Sequence, residues 1–392
     1  MRPLDGLTVL ALEHAVAAPV CTRHLADLGA RVIKIERPGV GDFARGYDKR
    51  VKGLASYFVW ANRSKESLTL DLKHPQAAPV LERLVARTDV IVQNLAPGAA
   101  ARLGLSFEAL HDKHPRLVVC DISGYGNDGP YRDKKAYDLM VQAEAGLLAA
   151  TGTPEAMARA GFSAADVSAG MYAYSSVLAA LLQRERSGKG SHIDVAMFES
   201  LAEWMGNPMY YSFDGQAPAP RTGACHPSVV PYGPVTASDG LIVMMGVQNE
   251  REWRRFCTEV LEEPALADDP RFASNTLRTE NRADLDAIIA GCFGKLTRDD
   301  LEARLERAQI ALSRVNTVAD LWTHPQLKAR DRWREVETPA GPVPALLPPG
   351  ANSSFEPRMD PVPALGQHTD ALLGELGFDA PEVAALHEQG VV

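Results

Sequence analysis

The first third of the chain alternates short apolar stretches with amphipathic ones, and this alternation is its strongest pattern. The apolar stretches predict buried strands at residues 7–12 (LTVLAL), 32–36 (VIKIE), 68–72, 89–95 (DVIVQNL) and 117–122 (LVVCDI). Residues 19–28 and 76–87 between them show the spacing of apolar side chains that is typical of helices. Strands separated by helices predict an α/β fold with a mainly parallel, doubly wound sheet. Ligands of such folds bind at the carboxyl ends of the strands.

The rest of the chain predicts a long helix and a second, smaller region. Residues 167–183 are mostly apolar and predict the helix, and residues 193–197 predict another strand. Ser238-Asp239-Gly240 is a turn signal between two apolar segments and predicts a hairpin. Further helices are expected at residues 249–261, 282–293 and 298–308.

These elements suggest two domains. The predicted parallel sheet lies within residues 1–215, which we expect to form a large domain. A small α+β domain is predicted for residues 223–312, with linkers at 216–222 and 313–324.

The composition narrows the class of partner. The 392 residues are 46% hydrophobic and 23% charged, and the formal net charge is −9. Nucleic acids and anionic membranes attract positively charged proteins, so we expect neither as a partner. No apolar stretch reaches the ~18 residues that span a bilayer. An anionic ligand would need a few well-placed cations and backbone amides.

The cysteines and histidines indicate neither a disulfide framework nor a metal site. Five cysteines are dispersed without CxxC spacing, and ten histidines show no ligand motif. We therefore expect reduced thiols, a cytoplasmic protein and no bound metal.

One glycine motif matches the dinucleotide fingerprint only in form. Gly124, Gly126 and Gly129 have the required spacing, but Pro130 and a polar segment follow them, so no helix starts there. A turn that approaches a ligand explains these glycines better than nicotinamide binding.

Asp166 lies where the long apolar helix is predicted to begin, and two interpretations fit it. Aspartate is a favoured N-cap residue. A helix N-terminus also favours an ionised carboxylate, and a carboxylate can act as a covalent nucleophile with small neighbours such as Ala165 and Ala169. The residue pattern alone leaves both interpretations open.

Several cations flank predicted strand ends or turns. Each is an ordinary surface charge when taken singly, but several at one sheet edge would form a pocket for phosphates and adenine. They are Lys34, Arg37, Arg45, Lys73, Arg102 and Lys135.

Long segments in the same order resemble the class III CoA-transferases. They include LADLGARVIKIERPGVGDFAR, NRSKESLTLDLKHP, VIVQNLAPGAAARLGLSFEAL, SGYGNDGPYRDKKAYDLMVQAEAGL and FSAADVSAGMYAYSSVLAALLQ. The resemblance covers essentially the whole chain. It implies an interlocked homodimer in which both chain ends, residues 1–215 and 325–392, build one Rossmann-like large domain. It also implies that Asp166 is the nucleophile, that coenzyme A and acyl-CoA are substrates, and that no cofactor is permanently bound. The implied CoA contacts are Val16, Arg37, Lys73, Asn94, Leu95, Arg102, Lys135 and Tyr137.

The same superfamily contains α-methylacyl-CoA racemases, which are the main alternative. Racemases resemble this chain too, but they carry His-Asp where this sequence has Tyr137-Asp138. A phenol with a pKa near ~10 is a poor substitute for an imidazole near ~6.5 in proton transfer. A non-catalytic CoA-binding protein is a third possibility, and Asp166 argues against it.

The substrate prediction rests on the segment from about 199 to 257, which resembles transferases that use succinyl-CoA and a small dicarboxylate. The acceptors of those enzymes include itaconate, mesaconate, citramalate and malate. His14, Arg221 and His226 are candidate contacts for an acceptor carboxylate, although both histidines also fit ordinary polar positions near turns. A formyl-CoA:oxalate type of transferase is the alternative. Its usual glycine run is missing at residues 223–227.

Overall fold

The computed structural model describes all residues from Met1 to Val392. The strands are β1 (Thr8–Leu12), β2 (Arg31–Glu36), β3 (Lys65–Thr69), β4 (Val90–Gln93), β5 (Val118–Ser123), β6 (His192–Ala196), β7 (Tyr232–Thr236), β8 (Ile242–Gly246), β9 (Ala311–Arg314), β10 (Trp333–Val336) and β11 (Val343–Leu346). The helices are α1 (Ala17–Asp27), α2 (Ser56–Ala61), α3 (Ala77–Val85), α4 (Ala99–Arg102), α5 (Phe107–Leu110), α6 (Asp138–Glu144), α7 (Leu147–Ala150), α8 (Ala164–Ser187), α9 (Met197–Trp204), α10 (Gly206–Tyr211), α11 (Glu250–Arg255), α12 (Asn275–Glu280), α13 (Arg282–Phe293), α14 (Arg298–Arg307), α15 (Pro325–Ala329), α16 (Thr369–Glu375) and α17 (Ala380–Glu388).

Six parallel strands form the central sheet of the larger unit, in the order β3-β2-β1-β4-β5-β6. One face is covered by α3, α16 and α17, whose leucines join a core with Leu10, Ile33 and Ile91. On the other face, α1 and α8 pack against each other, and α8 also contacts β5 and β6. This confirms the predicted α/β fold with a doubly wound parallel sheet, and it places the carboxyl ends of β1 to β4 side by side.

The predicted position of the third strand was wrong by three residues. Residues 68–72 were expected, but β3 runs from Lys65 to Thr69. Three of its side chains are polar and nevertheless buried, because Lys65 binds Glu13, Ser67 donates to Glu36, and Thr69 pairs with Thr369. A pattern of apolar residues does not show a strand whose buried side chains are satisfied by hydrogen bonds.

Helix α8 begins three residues earlier than predicted and packs closely on α1. A Cβ atom added at Gly170 would lie 2.6 Å from the carbonyl oxygen of Ala17, so only glycine fits there. The length and hydropathy of α8 would also allow it to cross a membrane. Ala165, Ala169 and Ala173 are fully buried against neighbouring elements, which is the pattern of a core helix.

The smaller unit contains an antiparallel sheet in the order β7-β8-β9. The predicted hairpin is confirmed, because β7 and β8 pair across the turn that contains Asp239 and Gly240. Helices α11, α13 and α14 cover the sheet, and Trp253, Phe256 and Phe293 lie in the core between them. This is the expected small α+β domain.

Both chain ends belong to the larger unit, which comprises residues 1–145, 161–205 and 328–392. The smaller unit comprises residues 146–160 and 206–327. The compact units therefore differ from the predicted boundaries, which assigned residues 146–160 and 206–215 to the large domain. Hydrogen bonds explain the difference: the Gly223 amide donates to the Gly152 carbonyl, and Arg221 donates to carbonyls of the 149–154 segment.

Candidate active site

A cavity of about 700 Å³ opens at the carboxyl ends of β1, β2, β3 and β4 in the larger unit. Five predicted site residues line it. Four of them lie in the connections that follow the four different strands β1 to β4, and the fifth is the last residue of α4. They are His14, Arg37, Lys73, Leu95 and Arg102. Parallel strands bring these connections to one edge of the sheet, which is why residues so far apart in sequence meet there.

The charges of the cavity leave a net surplus of cations. Arg37, Lys73 and Arg102 form no ion pair. The wall also contains three carboxylates, but Glu13 is bound by Lys34 and Lys65, and Glu36 by Arg45, so only Asp71 is without an ion pair. The three unpaired cations outnumber this one carboxylate, and the cavity therefore suits an anionic ligand in spite of the negative net charge of the chain.

The turn between β1 and α1 forms one wall of the cavity and is held by Asn94. The Asn94 side chain accepts a hydrogen bond from the His14 amide at 2.8 Å and donates one to the His14 carbonyl at 2.9 Å. Asn94 therefore positions this turn. The Nδ1 atom of His14 is buried and has no hydrogen-bond partner. Burial lowers the pKa of His14, so its imidazole is neutral near pH 7 and can bond a ligand without a charge.

Two predicted contacts lie away from the cavity wall. The Val16 side chain is 3% exposed and packs against Val20 and Ala61, so only its backbone could meet a ligand. Lys135 is exposed and does not line the cavity. The valine is drawn into the core because it is the last residue before α1, whose apolar face packs on α8.

Asp166 is the third residue of α8, and the N-cap is Ser163. The N-cap interpretation of Asp166 is therefore wrong. The capping carboxylate is Asp138, whose Oδ1 accepts hydrogen bonds from the amides of Ala165 at 2.8 Å and Asp166 at 3.3 Å. The amides of Ala164 and Val167 bond to backbone carbonyls. The helix N-terminus is thus already satisfied, with no amide left for the Asp166 carboxylate.

This arrangement changes the electrostatics expected for Asp166. The sequence suggested that the helix N-terminus would keep this carboxylate ionised. Instead, burial and then the charge of Asp138 raise the pKa of Asp166 to about 7. The negative charge of Asp138 offsets the positive end of the helix dipole. The Asp166 carboxyl is therefore poorly solvated and lies near another negative charge. A carboxyl with such a pKa is a candidate for chemistry rather than for capping.

A series of stacked aromatic side chains, which the sequence pattern did not reveal, extends from the cavity wall. The His14 ring stacks on Phe43 at 5.2 Å, Phe43 contacts Tyr47 at 5.8 Å, and Tyr47 meets Tyr57 edge to face at 5.7 Å. Burial, followed by nearby charges that include Asp166, raises the pKa of Tyr47 to about 12. The only sequence signal was the density of aromatic residues in the short polar segment after β2.

Further contacts place the first turn of α8 beside the β1–α1 turn. Val167 packs against the cluster of Val16, Val20 and Ala61. Tyr137 precedes α6 and is 71% exposed, and the next residue, Asp138, accepts hydrogen bonds from the amides of Ala165 and Asp166. The larger unit therefore brings Asp166, Tyr137 and the cavity wall into one region.

The two remaining predicted contacts belong to the smaller unit. Arg221 donates to the carbonyls of Thr153, Ala149 and Pro154, so three of its five N–H donors already hold a backbone segment. Nδ1 of His226 accepts the amides of Ser228 and Val229, and its ring stacks on Tyr232. The tautomer that accepts at Nδ1 carries its proton on Nε2, which remains available as a donor.

Comparison with known proteins identifies the chain as an enzyme of the CoA-transferase class. The family model described as CoA-transferase family III matches residues 4–369, and the chain belongs to that family. The chain is 34% identical over 385 residues to a succinate–glutarate CoA-transferase of Agrobacterium fabrum, covering 95% of this chain and 96% of that protein.

Two other similarities agree with this assignment. A succinyl-CoA–D-citramalate CoA-transferase of Chloroflexus aurantiacus is 33% identical over 404 residues, covering 100% of this chain and 98% of that protein. The crystal structure of a CAIB/BAIF family protein from Brucella suis matches with a TM-score of 0.83 at 36% identity, covering 96% of this chain and 99% of that one.

Proposed function

We propose that this CoA-transferase moves coenzyme A from succinyl-CoA to a small dicarboxylic acid through covalent intermediates on Asp166. One observation carries the proposal. The half-buried carboxyl of Asp166, with a pKa of about 7, lies beside the β1–α1 turn, and this turn also lines a cation-lined cavity of about 700 Å³. The cavity suits the phosphates and adenine of coenzyme A, with Arg37, Lys73 and Arg102 as the counter-charges.

In the proposed reaction, the ionised Asp166 carboxylate attacks the thioester carbonyl of succinyl-CoA. The carbon–sulfur bond breaks, which gives a mixed anhydride and a CoA thiolate. The thiolate then attacks the aspartyl carbonyl, releases succinate and forms an aspartyl-CoA thioester. Each step replaces one activated acyl group by another, so no step has a poor leaving group.

The second half of the reaction repeats these steps with the acceptor. The acceptor carboxylate displaces CoA from Asp166 and forms a second anhydride. The thiolate attacks the acceptor carbonyl of this anhydride, which yields the product thioester and regenerates the Asp166 carboxylate. A pKa near neutrality makes Asp166 more basic than an ordinary aspartate, and therefore a better nucleophile once it is ionised.

We propose a dicarboxylate acceptor because the relatives named above transfer CoA to glutarate and citramalate. The distal carboxylate requires a hydrogen-bond donor or a cation. His226 has a free Nε2, and His14 has an unpartnered Nδ1 at the cavity wall. Arg221 can contribute only the N–H groups that the 149–154 segment leaves free.

We further propose that the chain works as an interlocked homodimer in the cytoplasm. In the smaller unit, Met209, Tyr210 and Phe213 are each at least 60% exposed, which is unusual for large apolar side chains close together in sequence. A partner chain would cover them. Sedimentation equilibrium of the purified protein tests the dimer.

The decisive experiment is a mass measurement on the quenched enzyme. The protein is incubated with succinyl-CoA, and its intact mass and the peptide containing Asp166 are recorded. We expect a CoA-sized adduct on Asp166 that is absent in Asp166→Ala. Glutarate, citramalate, mesaconate, itaconate, malate and oxalate are then added singly, and the acid that discharges the adduct identifies the acceptor.

Three outcomes would change the proposal. Labelling only by another acyl-CoA would keep the nucleophile but replace the donor. Discharge by oxalate alone would replace the acceptor class. Exchange of the α-proton of a 2-methylacyl-CoA without any adduct would show a racemase.

A further inference from the structure

A buried network of charges lies beneath the β1–α1 turn, and nothing in the reaction uses it directly. Lys34 and Glu13 are completely buried, and the Lys34 Nζ lies 2.8 Å from Asp42 Oδ2 and 3.2 Å from Glu13 Oε1. Lys65 binds the same Glu13 oxygen at 2.7 Å, and Thr22 donates to the other oxygen at 2.6 Å.

Asp42 connects this network to the turn. Its second oxygen, Oδ1, accepts hydrogen bonds from the amide of Ala44 at 2.9 Å and from the amide of Ala15 at 3.1 Å. Ala15 has a φ of +60°, the left-handed conformation that non-glycine residues rarely adopt. It stands between His14, which lines the cavity, and Val16, which enters α1.

We infer that Asp42 is a positioning residue for coenzyme A binding, because it holds Ala15 in a strained left-handed conformation that aims His14 at the cavity. This inference rests on the proposed CoA site. The Asp42 side chain also caps the start of the 43–46 turn, where Phe43 stacks on the His14 ring. Strain of this kind persists only where the surroundings over-determine it.

Lys34 makes the arrangement specific for a carboxylate. A buried ammonium needs an acceptor, and Asp42 supplies one oxygen to Lys34 and the other to the turn. In Asp42→Asn, the single amide oxygen is expected to turn to Lys34, because bonds to a charged donor are the stronger ones. The amide NH₂ would then face the Ala15 amide, and the left-handed conformation would lose its acceptor.

The test is calorimetric titration of the full-length protein with coenzyme A. We expect Asp42→Asn to weaken CoA binding about 10-fold, which corresponds to about 1.4 kcal/mol. Adding Ala15→Gly to this variant should restore most of the affinity, since glycine adopts positive φ without help. If Asp42 only stabilised the fold, Ala15→Gly would relieve backbone strain at residue 15 but would not restore CoA affinity.

Thr22→Val is the matched control. It removes a hydrogen bond from the same network at Glu13 but does not touch Asp42 or the turn. Its melting temperature should fall while its CoA affinity stays at the wild-type value.

The outcomes separate the inference from the proposed function. Wild-type protein that fails to bind coenzyme A would overturn the proposed site. Tight binding by wild type with no weakening in Asp42→Asn, or with no rescue by Ala15→Gly, would overturn the positioning role alone. If Asp42→Asn does not fold, Ala15→Val tests the same idea in the intact network: a β-branched residue resists positive φ, so CoA binding should weaken, and unchanged binding would contradict the role.

Discussion

Two buried carboxylate regions flank the β1–α1 turn, and their electrostatics are opposite. Below the turn, burial works to raise the pKa values of Glu13 and Asp42, but lysine charges and hydrogen bonds outweigh it and lower both. In the first turn of α8, Asp166 has no cation, and burial together with Asp138 raises its pKa to about 7. The difference lies in the partners, since all three carboxylates are removed from bulk water.

This contrast separates structural from reactive carboxylates. A paired carboxylate in a balanced network remains ionised and holds the backbone, as Asp42 does for Ala15 and Ala44. An unpaired one is close to its protonation equilibrium at neutral pH and is free to react. Asp138 is neither paired with a cation nor free of partners. It accepts hydrogen bonds from backbone amides, and its charge helps to raise the pKa of Asp166.

The largest expected effect comes from removing a cation from the paired region. Lys34→Met leaves Asp42 buried without a counter-charge, and breaking a buried pair typically costs about 3–5 kcal/mol. Urea denaturation monitored by circular dichroism should show this loss in the free energy of unfolding. The exposed substitution Lys113→Met is the control, and equal stability of the two variants would mean that the network contributes nothing.

The second prediction concerns the unpaired region and the pH dependence of stability. The folded protein binds the Asp166 proton more tightly than the unfolded chain, whose aspartate pKa is near ~4. The stability linked to this group is therefore fully present below about pH 4 and is lost as the pH rises through about 7. Asp166→Asn carries no such charge, so its melting temperature should exceed that of wild type at pH 8.

The size of this difference should shrink as the pH falls towards 5, because wild-type Asp166 becomes protonated. Melting temperatures at both pH values check the prediction, with the exposed substitution Asp128→Asn as a control that should show no such trend. A difference that stays constant with pH would show that Asp166 is ionised as an ordinary aspartate.

The third prediction tests the contact that brings α8 close to the turn. In most helices Gly→Ala is stabilising, but at Gly170 the added methyl would lie 2.6 Å from the Ala17 carbonyl. We expect Gly170→Ala to cost about 1–3 kcal/mol, as overpacking does, and to lower the rate of CoA adduct formation. Gly291→Ala in α13 is the matched control, because no atom lies within 4 Å of its added Cβ.

The smallest effect is expected from neutralising Asp138. Burial is the larger cause of the raised Asp166 pKa, and the Asp138 charge is the second. Asp138→Asn retains an oxygen for the Ala165 amide but removes this charge, so the pKa of Asp166 should fall. The acidic limb of the pH profile of kcat/KM should then move to lower pH. An unmoved limb would assign the whole shift to burial.

The sheet, the long helix and the family resemblance were accessible from the sequence, because each depends on patterns within short segments. Arg37, Lys73 and Arg102 were among six cations that flank predicted strand ends or turns, and the resemblance implied that they contact CoA. The structure shows these three around one cavity. The polar strand β3 was predicted three residues too late, and the aromatic side chains of Phe43, Tyr47 and Tyr57 were missed. Their burial and stacking depend on partners far along the chain, for example Ser67 with Glu36.

The order of apolar and polar residues was sufficient for the α/β class, the small antiparallel unit and the position of Asp166 at the start of a helix. Only the tertiary structure decided what that helix start does to Asp166. The capping amides are taken by Asp138, which lies 28 residues earlier in the chain. The ionisation of a buried group depends on which charges surround it in space, and a linear pattern contains no record of them.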